Sequence, residues 1–114
     1  MSNKGTSYGL IEVSGVTAAI DSLDAMCKAA DVSLVTWERK LGGRLVTVIV
    51  EGTVSNCKAA VEAACDACKR EGLIMANNGV IASPADETRK MVELSASRKQ
   101  QNGMTIADWI PLDV

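Results

Sequence analysis

Two stretches of this chain repeat their apolar residues at helical period, and each lies between short runs with strand character. In the first stretch Val16, Ala19, Ile20, Leu23, Met26, Cys27 and Ala30 form a stripe, while Asp21, Asp24 and Lys28 lie toward the other side. That helix is expected to end near Asp31. In the second, Val54, Cys57, Val61, Ala64, Cys65 and Cys68 form the stripe, with Lys58, Glu62, Asp66 and Lys69 off it. Thr53 or Ser55 suits the N-cap of this helix, and Gly72 suits its stop.

The flanking runs complete a pattern. Residues 8–13 read as a strand, with Tyr8 and Leu10 facing one way and Ile11 and Val13 the other, and Ser14-Gly15 breaks it. Residues 32–37 have the β-branched and apolar content of a second strand. Residues 45–50 are apolar except for Thr47, as suits a central strand buried on both faces, and Gly42-Gly43 marks the turn before it. Residues 73–76 and 80–81 form one further strand around Asn77-Asn78-Gly79. Pro84 then opens a short polar helix over residues 85–94, followed by a polar tail over 95–103 and an apolar end over 104–114. The order strand, helix, strand, strand, helix, strand predicts an α+β fold of the ferredoxin-like, split βαβ kind. Its four-stranded antiparallel sheet has helices on one face, and its second face needs a cover, for which another subunit would serve. The expected division is a domain over 1–94 and a C-terminal extension over 95–114.

Composition narrows what such a domain does. With no Phe, one Tyr and two Trp, its core is built from Ala, Val, Leu, Ile, Met and Cys. Each such side chain buries little area, so assembly would help a marginal monomer. The net charge of −2, with no basic run, argues against nucleic acid as a partner. The most apolar stretch, 45–50, is far too short to span a bilayer, and residues 1–8 lack the apolar region of a signal peptide. Four cysteines without an export signal are expected as free thiols in the cytoplasm.

Several ordered blocks resemble the shell domains of bacterial microcompartments. Tyr8-Gly9-Leu10-Ile11-Glu12-Val13-Ser14-Gly15 is similar to that family's opening strand. Ala18-Ala19-Ile20 and Asp24-Ala25-Met26-Cys27-Lys28-Ala29-Ala30 resemble its first helix. Gly42-Gly43-Arg44-Leu45-Val46-Thr47-Val48-Ile49-Val50-Glu51-Gly52 resembles its pore loop and third strand, and Lys58-Ala59-Ala60-Val61-Glu62-Ala63 its second helix. The similarity covers about residues 8–94. It implies a structural shell subunit forming cyclic homo-hexamers that tile with other shell proteins and carry a central pore for small polar metabolites. It further implies that Lys40, Leu41, Gly42, Gly43 and Arg44 line the pore loop and that Lys28 lies at the hexamer edge. Family members carry proline-arginine-proline-histidine after the fourth strand, whereas this chain has Ser83-Pro84-Ala85 there. Ser83 replaces the edge arginine and cannot offer its fork of donors. The segment around Glu38-Arg39-Lys40 is one residue longer than the family pattern.

The remaining candidates weigh against chemistry. Cys65-Asp66-Ala67-Cys68 is a CxxC, the spacing of a metal or redox site, but these thiols fall on the apolar stripe where cysteine acts as a small hydrophobe. With no histidine, Ser/His/Asp and Cys/His nucleophile systems and mixed zinc sites are excluded, so no enzyme activity and no cofactor are expected. Two other functions remain open at this point: an oligomeric small-molecule-binding regulatory module, and an iron–sulfur or redox carrier using the cysteines. In the extension, Ile106, Trp109 and Ile110 fall on one side of a potential helical turn, which could dock on the disc or on an encapsulated enzyme.

Overall fold

The computed structural model describes residues 6–39 and 43–101. The chain runs β1 (Ser7–Ser14), α1 (Val16–Ala29), β2 (Ser33–Arg39), β3 (Leu45–Gly52), α2 (Val54–Glu71), β4 (Met75–Ile81) and α3 (Asp86–Gln101). The four strands form one sheet in the order β2-β3-β1-β4, with every neighbouring pair antiparallel. This is the expected α+β architecture, with β3 and β1 central.

Register explains which face each side chain takes. Ile11 and Trp37 both pair with Val48, Val13 pairs with Val46, and Gly9 with Val50. Cross-strand partners share a face, so these residues form one apolar surface. α1 and α2 lie together on that surface, joining Ala18, Ala19, Met26, Ala60, Val61, Ala64 and Cys68 to the core. The small side chains let the two helices approach closely, and at their contact the Ser22 hydroxyl lies 3.4 Å from the Cys68 thiol. The first helix is turned slightly from its expected stripe: Ser22 is buried, whereas Cys27 is exposed. The contact with α2 selects a small polar residue that periodicity alone places outside the core.

Both ends of α2 follow their sequence signals. The Thr53 hydroxyl accepts the Asn56 N–H at 3.1 Å, and Gly72 closes the helix with left-handed backbone. β4 runs through the Asn-Asn-Gly segment without a break. Two expectations need correction. Residues 95–101 are not a polar tail but the second half of α3, in a run that holds neither Gly nor Pro. In addition, β3 is buried on one face only: Val46, Val48 and Val50 are inside, while Leu45, Thr47 and Ile49 are half-buried. α3 accounts for that difference, because it packs on the second face over β2, near Tyr8, Thr36 and Ile49.

Gly52 ends β3 where the chain leaves α1 for β2. A Cβ there would stand 2.9 Å from the Asp31 carbonyl oxygen and 3.1 Å from a Val32 methyl. Backbone cannot move aside as a side-chain tip can, so the strand end must shift. We expect Gly52→Ala to cost about 1–3 kcal/mol, the range of overpacking in tight sites. A urea midpoint equal to that of the parent chain would show that this junction is looser than the contact distances imply.

Candidate functional site

The sheet carries the two groups of sequence candidates at opposite ends. At one end Ser7 pairs with Gly52, Tyr8 pairs with Ile81, and the Ser7 hydroxyl donates to the Ala82 carbonyl at 2.7 Å. The exposed Ser83 follows directly. The last turn of α1 reaches the same end, since Asp31 abuts Gly52, and it carries Lys28. Lys28 is exposed and pairs with Asp24 one turn earlier at 2.8 Å. The hydrogen bond and charge of Asp24 raise the Lys28 pKa.

At the other end Ser14 pairs with Leu45, and the Gly15 N–H donates to the Arg44 carbonyl at 2.7 Å. Gly43 and Arg44 are exposed. Lys40, Leu41 and Gly42 lie outside the described residues, so what is visible of the segment is its two stems. Eight-residue strands rising about 3.3 Å per residue separate the two ends by roughly 24 Å.

Each stem is held by a different element. The β3 stem hangs on the Gly15–Arg44 backbone bond at the start of α1. The β2 stem is held by α3. Ser95 donates its hydroxyl proton to Glu38 and therefore accepts from Thr36, whose oxygen lies 2.6 Å away. Lys99 reaches the same Glu38 oxygen at 3.0 Å and lies 4.8 Å from the centre of the Trp37 ring. Near the start of the helix, Arg89 donates to the Thr6 carbonyl at 3.2 Å and covers the buried Tyr8 ring. The brace from Ser95 and Lys99 was not anticipated. Their i, i+4 spacing in a run free of Gly and Pro until Gly103 is the signal that could have found it.

Glu38 makes that brace sensitive to acid. Burial pushes its pKa up, but the hydrogen bonds from Ser95 and Lys99 and the charges of Lys99 and Arg98 outweigh burial and hold it below the ordinary 4.5. A carboxylate held low in the folded state stabilises above its unfolded pKa and loses that contribution as pH falls through the folded one. We therefore expect amide exchange over residues 95–101 to accelerate as pH drops below about 4.5, once corrected for the intrinsic pH dependence of exchange. Glu38→Gln should remove that acid-induced step, and its persistence in the variant would assign the step to another group.

The cysteines behave mostly as packing. Cys57 and Cys68 are buried, Cys65 is half-buried and Cys27 is exposed, which corrects its place on the apolar stripe. The Cys57 thiol donates to the Ser7 carbonyl at 3.4 Å, and Cys65 lies 3.3 Å from the Met75 sulfur. Burial pushes the Cys57 and Cys65 thiols up, and partial desolvation of the Cys27 sulfur with the nearby Asp24 charge raises that thiol too, which lowers the thiolate fraction and reactivity of all three. Among the described residues no three His, Cys, Asp or Glu side chains are grouped to hold a metal ion, and no helix is long and apolar enough to cross a membrane.

Comparison with known proteins matches residues 7–84 to the BMC domain. The chain belongs to that family. The bacterial microcompartment shell protein EutK of Escherichia coli K12 is 45% identical over 86 residues, which span 75% of this chain and 51% of EutK. The carboxysome shell protein CsoS1A of Hydrogenovibrio crunogenus is 43% identical over 96 residues, covering 82% of this chain and 97% of CsoS1A. The shell protein PduA of Salmonella typhimurium is 42% identical over 92 residues, covering 81% and 96%. A crystal structure of a microcompartments protein from Desulfitobacterium hafniense superposes with a TM-score of 0.66 at 22% identity, over 79% of this chain and 48% of the other, and supports the fold. The chain thus spans about half the length of EutK and of that solved structure, but nearly all of CsoS1A and PduA.

Proposed function

We propose that this chain is a structural tile of a bacterial microcompartment shell, closing into six-membered rings that pack edge to edge with other shell proteins. The observation that supports this reading is that Gly43 and Arg44 lie at one end of the sheet and Lys28 and Ser83 at the other. A flat tile needs this division between an axis and a rim. Family membership and the names of relatives matched over nearly their whole length support the reading. A closed ring requires a heterologous contact whose rotation closes, and the rim requires a second, two-fold contact.

In this reading Lys40, Leu41, Gly42, Gly43 and Arg44 surround the pore. Six copies of Lys40 and Arg44 make a positive ring that favours small anionic metabolites over cations. At the rim, Lys28 works without an arginine partner. The Ser83 hydroxyl offers one donor where a guanidinium offers five, so lateral contacts are weaker and mixing with other shell subunits is favoured. The part of the C-terminal extension beyond α3 is the segment offered to encapsulated enzymes, and the setting is the shell within the bacterial cytoplasm. No reaction is assigned to the chain.

Native mass measurement combined with electron microscopy tests the proposal. Rings of six subunits that associate into sheets or rounded bodies are the expected result. A monomer or dimer at all concentrations would overturn it.

A further inference from the structure

α3 covers only part of the sheet's second face. It packs over β2, and one of its flanks borders a groove of about 310 Å³ that reaches Ile49 on β3. Glu38 and Ser95 also line this groove but are already bonded to each other. Beyond Ile49 the same face continues with half-buried Leu10, its cross-strand partner. Along the groove flank of the helix run Glu87, Met91, Leu94 and Arg98, at spacings of four, three and four residues. That spacing holds them on one stripe, as at the seam of paired helices. All four are exposed, Met91 by 73% and Leu94 by 52%. We propose that this stripe is the seam of a two-fold contact with a second copy of the chain, in which two α3 helices lie side by side and antiparallel between the second faces of their sheets.

The occupant is identified by self-complementarity. About a two-fold axis between Val92 and Glu93, Met91 meets the partner's Leu94, and Glu87 meets the partner's Arg98. The symmetry makes each pair twice, so four apolar side chains sit between two ion pairs at either end. Lys90 falls opposite the partner's Ser95, so no like charges face each other. Glu87 and Arg98 form no ion pair within the subunit among the described residues. They stand roughly 16 Å apart along their own helix, too far to meet each other. Lys99 is held by Glu38 and takes no part. Antiparallel packing also sets the N-terminal end of each α3 beside the C-terminal end of the other, which opposes their dipoles favourably.

This contact differs from the ring contact. Neighbours in a six-membered ring are related by a sixth of a turn and cannot pair the same helix with itself antiparallel. The contact therefore joins subunits of two rings face to face. It covers two exposed apolar side chains per subunit and is weak, so paired rings populate in concentrated solution and dilute rings remain single.

The test uses the full chain with the photoreactive substitution Met91→p-benzoylphenylalanine, mixed from nitrogen-15-labelled and unlabelled subunits. Illumination of a concentrated sample should give a product of twice the subunit mass on a denaturing gel. Its crosslinked peptides should join position 91 of one isotope to residues 94–98 of the other. Glu87→Arg and Arg98→Glu should each reduce that yield at least five-fold, because each sets like charges together at both ends of the seam. Combining the two restores opposite charges and should return the yield to within two-fold of the starting protein. Far-ultraviolet circular dichroism reports that each variant keeps its fold. Crosslinks confined to single chains, or joining position 91 to elements other than α3, would overturn the proposal. So would a double variant no better than the single ones. Ring formation is read separately by native mass on dilute samples, so failure of the pairing leaves the shell reading untouched.

Discussion

Replacing Ile11 by alanine is expected to lower the free energy of unfolding by about 4 kcal/mol, near the upper end of the large-to-small range. Ile11 is fully buried at the middle of β1, between β3 and β4 and beneath α1 and α2. Its neighbours are short or β-branched: Val13, Val46, Val48, Ala60 and Ala64 belong to the same cluster. Such side chains have little freedom to swing into a void, so the cavity would stay open and keep its full cost. The measurement is urea unfolding at fixed protein concentration, because subunit association adds to apparent stability. Cys57→Ala is the contrast. It removes one sulfur and a weak hydrogen bond, and a loss of about 1 kcal/mol is expected. Equal losses for the two variants would mean that the core does not centre on β1.

Reversing the charge at Lys28 is expected to abolish edge-to-edge assembly while sparing the ring. Lys28→Asp places two carboxylates four residues apart and an acid at the negative end of α1. Together these cost the subunit roughly 1 kcal/mol or less, since each is a small surface effect. In the proposed rim, where Lys28 lies along its own symmetry mate, the change replaces two long stems that pack while holding their ammonium groups apart in water with two short carboxylates that cannot cover the contact. Sedimentation should show the six-subunit species without larger arrays. Lys58→Asp, on the exposed side of α2, serves as the control and should leave arrays intact. Arrays in Lys28→Asp indistinguishable from those of the parent chain would remove Lys28 from the rim.

Much of the architecture was legible before the structure, for reasons particular to each element. α2 announced both its ends because Thr53 and Gly72 act locally, through one hydrogen bond and one backbone conformation. The order of elements along the chain followed from helical periodicity and short apolar runs, and register then assigns the faces of the strands. What escaped depends on contacts between elements. Cys27 and Ser22 exchanged places because the meeting of α1 with α2 rotates the buried side of the helix. The second half of α3 reads as polar tail because its apolar stripe is thin, and it is ordered by Thr36 and Glu38, which lie more than fifty residues earlier. The candidate residues were legible as two sequence segments, yet nothing in either reveals that Gly43 and Arg44 lie at one end of the sheet and Lys28 and Ser83 at the other.

The bond from the Gly15 N–H to the Arg44 carbonyl has a consequence for how this family of surfaces can diversify. Every amino acid brings the same carbonyl to that bond, so the backbone at position 44 is secured without regard to the side chain it displays. The position behaves as a socket. Arginine can be exchanged for a neutral or acidic residue, and the exposed chemistry changes sign while the strand below keeps its register. A lineage can thus retune what its surface attracts by single substitutions that leave the scaffold undisturbed.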